Sequence, residues 1–179
     1  MKKILVFLFV LVFGFGSLNA FDYRDAKPEN IKVEFIKQVY RDLIKDLRWR
    51  DSDFYSPELL FLEKLYLLAD GWLDYSVIMQ GQDIPTTTPD KDIKVTQLKN
   101  GNVRASFYSD SVIVDFNIIC TSNLEKGNGW GDDDKCFIDD IFEYDSETKK
   151  FKSLKNFYIN SIKNNKEVFK FLNTFKFAN

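Results

Sequence analysis

The 179-residue chain contains no histidine, two cysteines, two methionines and four prolines. Without imidazole it has no Ser-His-Asp or Cys-His nucleophilic apparatus, and no zinc site that depends on histidine. A Gly-rich phosphate cradle, a metal-ligand cluster and a nucleophile set beside a base are missing too, so no cofactor is expected. Positive charge is also short. The 25 basic residues face 27 acidic ones with no basic stripe, which argues against nucleic acid as a partner. Two cysteines cannot make a dense disulfide framework, and at this length none is needed, because such a chain buries roughly 70% of its unfolded surface.

The first twenty residues have the three parts of a secretory signal: Lys2-Lys3, an apolar run from Ile4 to Gly16, and the short close Ser17-Leu18-Asn19-Ala20. The expectation is a signal peptide over 1–20 and a mature chain from Phe21. The apolar run is shorter than the ~20 residues of a spanning helix, so no membrane association is expected after cleavage. This points to a bacterial periplasmic or secreted protein. In that compartment Cys120 and Cys136, on facing strand segments, are expected to form one disulfide.

The remaining residues, 21–179, read as a single α+β domain, with a core over about 28–144 and a Phe-rich extension over 145–179. Pro28 suits a first helical turn, and Ile36, Val39-Tyr40, Leu43-Ile44 and Leu47 follow at helical spacing. Ser56-Pro57-Glu58 is a second helix start, with Leu59, Leu62, Leu65-Tyr66 and Ala69 as its apolar stripe and Gly71 beyond it. From Ile93 the period becomes two. Asn100-Gly101 signals a hairpin, Ser109-Asp110-Ser111 the next turn, and Val112–Cys120 and Cys136–Phe142 a second hairpin. These segments predict an antiparallel sheet of about four strands. Val168-Phe169, Leu172 and Phe175 have helical spacing and predict a C-terminal helix. Helices before an antiparallel sheet give a curved sheet wrapped over them, a cone whose mouth is the default ligand site.

Three stretches carry a resemblance: Phe54-Tyr55-Ser56-Pro57-Glu58-Leu59-Leu60, Leu73-Asp74-Tyr75 with Gln82-Asp83, and Phe137-Ile138-Asp139-Asp140-Ile141. Together they resemble the secreted bacterial family catalogued as domain of unknown function 3828, over roughly Pro28 to Tyr144. That family is similar to the nuclear transport factor 2-like superfamily of cystatin-like α+β cones. The resemblance implies a cone fold and leaves function open, since superfamily relatives include pocket enzymes as well as binding and dimerising modules. A homodimer is therefore among the partners it implies.

The segment from Trp72 to Pro85 joins the helices to the sheet and should border the open end. Tyr75, Gln82 and Asp83 combine a ring, an amide and a carboxylate, and are the expected binding residues for a protein or small-molecule ligand. The leading expectation is a non-catalytic binding or interaction module, either an inhibitor or immunity-type protein or a small-ligand binder. The alternative is a pocket enzyme of isomerase or dehydratase type, with Asp74 or Asp83 as general base. In that case an enclosed carboxylate with a raised pKa is required. A third reading takes Asp132 and Asp134 in the loop Asn128–Asp134, with Asp139-Asp140, as a weak calcium site, although the spacing and closing Glu of an EF-hand are missing.

Overall fold

A computed structural model describes residues 31–45, 50–69, 71–81, 93–121 and 135–166. The expected signal peptide over 1–20 and the expected helix around Val168–Phe175 lie outside the described residues. Helix α1, Ile31–Lys45, buries Phe35, Ile36, Val39, Tyr40 and Leu43, the apolar positions at spacings of three and four. After the 3-10 turn Asp51–Phe54 comes α2, Pro57–Leu68. Its start is as the sequence predicts: Ser56 Oγ accepts the Leu59 N–H at 3.1 Å, and Pro57 occupies the first turn, where its missing donor costs nothing.

The sheet contains β1 Lys94–Gln97, β2 Val103–Phe107, β3 Val112–Cys120, β4 Cys136–Asp145 and β5 Lys150–Ser153. It is an open antiparallel meander in that order. The β1–β2 turn uses Gly101 at φ +89°, a conformation that glycine reaches without strain. Val103, Ala105 and Phe107 return from it fully buried. Five strands replace the expected four. The additional strand, β5, pairs Phe142 with Ser153 through Asp145 with Lys150, but three of its four residues are exposed, so no apolar alternation marks it. Helix α3, Leu154–Asn164, follows β5 directly and lies upstream of the stretch that predicted a C-terminal helix.

One irregularity in β4 organises much of the molecule. Asn117 pairs with Asp140 and Ile118 with Ile138, so Asp139 is an extra residue in the strand. Strict alternation would send Ile138 and Ile141 to opposite faces; the bulge lets both reach the core at 0% exposure. The two aspartates then serve the helices. Asp139 accepts Ser56 Oγ–H at 2.9 Å and the Lys155 ammonium at 3.0 Å. Asp140 accepts Ser153 Oγ–H at 2.6 Å and the Lys155 N–H at 2.9 Å, which places a carboxylate at the positive end of α3. Tyr55 bridges Ile138 and the Ser56 N–H donates to the Ile138 carbonyl, so the entry to α2 is tied to β4 at backbone and side chain.

In the core, α1 packs on β1 and β2, while α2 packs on β4 and α3. Tyr40, 2% exposed, sits edge-on to Phe107 and Phe116 at 5.8 and 6.3 Å and donates to the Ile78 carbonyl at 2.9 Å. This bond holds the segment 71–81 against α1. Cys120 and Cys136 are directly opposed across β3 and β4 and form the expected disulfide. No helix among the described residues is long and apolar enough to cross a membrane.

Candidate functional site

A cleft of about 530 Å³ opens between the 3-10 turn, α2, the segment 71–81 and α3. Its walls are aromatic, with Tyr55, Tyr66, Trp72, Tyr75 and Tyr158 all contributing. Tyr66 is wedged in place. Its ring packs on Tyr158 at 5.1 Å and edge-on to Phe157 at 5.4 Å, and its hydroxyl donates to the Trp72 carbonyl at 3.3 Å. Gly71 permits this, because a Cβ there would lie 2.3 Å from the Tyr66 ring. Trp72 is 75% exposed at the rim.

Among the described residues two carboxylates face this cleft, and their surroundings differ. Asp51 is pinned: Ser76 Oγ–H donates to both its oxygens at 2.8 and 3.0 Å, and the Ile78 N–H donates at 3.0 Å. Ser76 Oγ in turn accepts the Met79 N–H at 3.0 Å, and Ser76 bridges Gly81, so Asp51 anchors the compact turn 76–81. Burial raises its pKa, and the Ile78 and Ser76 hydrogen bonds pull the other way. Glu63 has no such support. It makes no hydrogen bond or ion pair to another described residue, and burial followed by the charge of Asp51 pushes its carboxyl up to about 7. Lys64 acts against that shift, Asp53 adds to it and Arg50 opposes it, each more weakly than burial.

Below Glu63 lies the phenol of Tyr158. It is 0% exposed and its hydroxyl has no hydrogen-bond partner. Leaving a buried hydroxyl unsatisfied costs about 1–3 kcal/mol, so the group calls for an explanation. Burial, and then the charges of Glu63 and Asp51, raise its pKa well above the ordinary tyrosine value.

Of the residues named from sequence, Tyr75 lines the cleft and its hydroxyl donates to the Glu143 carboxylate at 3.1 Å. Burial, then Glu143, pushes the Tyr75 phenol up to about 12. Gln80 also holds Glu143, donating at 2.6 Å from a left-handed backbone at φ 54°. Asp74 is exposed and does not line the cleft. Gln82, Asp83, Asp132 and Asp134 lie outside the described residues. Asp139 and Asp140, grouped with the calcium loop on sequence, are held by Ser56, Lys155, Ser153 and the start of α3. Among the described residues no group of acidic or thiol side chains is arranged to hold a metal.

Sequence reasoning missed Glu63, Asp51 and Tyr158. A signal for Glu63 was present: it stands four residues after the buried Leu59 and three before Tyr66, on the inward face of α2. No family model, curated protein or solved structure matches the chain.

Proposed function

We propose that the protein is an exported, non-catalytic binding module whose ligand site is the cleft between α2, the segment 71–81 and α3. The observation that carries this reading is the buried Tyr158 hydroxyl, left without a partner beneath an aromatic-walled space of ligand size. Apolar rings supply contact area, and the phenol and Glu63 supply direction. Export is supported by the secretory pattern at the N-terminus together with the Cys120–Cys136 bond. The α+β order, with an open antiparallel meander packed against the helices, is the class of fold on which the resemblance to domain of unknown function 3828 was read.

The proposed site keeps Tyr75 of the expected set and adds Tyr66, Trp72, Glu63 and Tyr158; Gln82 and Asp83 lie outside the described residues. The test is a thermal-shift and NMR screen of small polar-aromatic and charged fragments against wild-type protein and Trp72→Ala. Because Trp72 is exposed, its removal should leave stability within about 0.5 kcal/mol while hits are lost. Hits that persist undiminished in Trp72→Ala and in Tyr75→Ala would place binding elsewhere.

A second reading rests on Glu63 alone. A carboxyl titrating near neutrality is suited to general acid-base work, so the cleft is also the place for a pocket enzyme, with Glu63 rather than Asp74 as base. A substrate turned over by wild-type protein and not by Glu63→Gln, with binding retained, would establish it.

A further inference from the structure

We infer that the ligand of this cleft is a protonated alkylamine, held between the Glu63 carboxylate and the Tyr158 hydroxyl with its carbon chain against the rings of Tyr66 and Trp72. The inference rests on the cleft being the binding site and goes on to name the chemistry that fits it. Three features converge. Glu63 is an inward-facing carboxylate to which no described residue brings a hydrogen bond or a cation within ion-pair distance. Tyr158, whose ring lines the cleft, brings a buried hydroxyl that makes no hydrogen bond and can accept one. Tyr55, Tyr66, Trp72 and Tyr75 present aromatic surface, whose faces attract cations. An ammonium group carries three N–H donors. One meets the carboxylate, one the phenol oxygen, and the charge lies over a ring.

Other ligand classes fit less well. An anion would face both Asp51 and Glu63; among the described lining residues the cations are Arg50, which is exposed, and the half-buried Lys64, neither paired with Glu63. A hard metal ion needs six or more oxygen ligands, and Asp51 is already committed to Ser76 and Ile78. A neutral apolar ligand would leave the Tyr158 hydroxyl as unsatisfied as before.

The groups that face Glu63 set the pH dependence. They are Arg50, Asp51 and Asp53 from the 3-10 turn, Lys64 from α2 and Tyr158 from α3. The segment 71–81 adds Tyr75, which holds Glu143 of β4. Of this set, Glu63 is the carboxyl pushed up to about 7, while burial raises Asp51 and the Ser76 and Ile78 hydrogen bonds hold it in its charged form. The amine therefore binds with release of a proton from Glu63, and its affinity rises with pH until Glu63 is ionised.

Calorimetric titration of the full chain, with its disulfide intact, tests this with butylamine, 1-butanol and sodium butyrate. Butylammonium should bind at least ~10-fold more tightly than butanol, and butyrate not measurably. Its affinity should rise about tenfold from pH 6 to pH 8, with a buffer-dependent heat that reports proton release. Glu63→Gln should abolish that slope, and Tyr158→Phe should weaken binding about fivefold at both pH values with the slope retained. Thermal melts at pH 5 confirm that both variants are folded. A 1,5-diaminopentane arm and a short lysine peptide arm separate a free amine from a partner's lysine side chain; preference for either supports the amine class. Equal affinity for butanol, a flat pH profile in the wild type, or a slope surviving in Glu63→Gln would overturn it. If butyrate or neutral aromatics bind in a Trp72-dependent way while amines do not, the amine class falls and the binding site stands. If no probe responds to Trp72→Ala, both fall.

Discussion

At the scale of single residues, the cleft is built from groups placed at some cost to stability. Glu63 is the clearest. Its folded-state pKa lies above its unfolded value, so the folded protein holds the extra proton between about pH 4.5 and 7. Stability contributed by this group is therefore lost as pH rises through that window and stays lost above it. Allowing for the open side of the cleft, the penalty at pH 8 is about 1–2 kcal/mol. Glu63→Gln should be more stable than wild type by that amount at pH 8 and equal to it near pH 4, as read from urea melts at the two pH values. Gly71 is the second such residue. Gly71→Ala drives a methyl group into the Tyr66 ring and should cost about 1–3 kcal/mol, measured by chemical denaturation, with the near-ultraviolet aromatic signal changed as Tyr66 leaves the cleft wall. The sequence shows Gly71 as a helix-ending residue; its close approach to a ring five positions back depends on how the chain turns after α2.

Among the elements, those with a local signature were legible. The Ser56-Pro57 start of α2 needs only neighbouring residues, as does the Asn100-Gly101 turn, and both form as the pattern predicts. What required distant partners was not legible. Ser56 Oγ also donates to Asp139, 83 positions away, through a bulge that no propensity marks. Ser56→Ala should therefore cost more than an isolated cap, about 1–2 kcal/mol, and the Lys155→Ala background should show coupling between the two in a double-mutant cycle. Strand β5 and helix α3 were hidden for a related reason. Their register is set by pairing with Tyr144 and by Asp140, and the exposed residues Lys150, Phe151 and Lys152 carry no period-two pattern of their own. The segment from Trp72 to Pro85 was expected to border a site from its position between helices and sheet, and residues of its described part line the cleft. Which of its residues point inward is decided by Asp51 and Tyr40, which grip Ser76 and Ile78.

Taken as a whole molecule, the fold separates a well-tied sheet from an open, aromatic-walled cleft. The Cys120–Cys136 bond closes a loop of sequence separation 16 between the two longest strands, and by restricting the unfolded chain it should contribute about 3 kcal/mol. Denaturation with and without reductant measures this, and a change in midpoint is expected with little change in native spectra. The described residues that line the cleft come from the helices, the 3-10 turn and the segment 71–81 and not from β3 or β4, so reduction should weaken the molecule more than it alters the site. The central claim is that the cleft is a place prepared for a ligand, with a carboxylate at its heart held partly neutral until a cation arrives. Carbon-13 NMR of the Glu63 Cδ across pH tests it most directly. The expected titration midpoint is about 7, falling when butylammonium is added. A midpoint near the ordinary glutamate value of about 4.3, unmoved by the amine, would contradict the account.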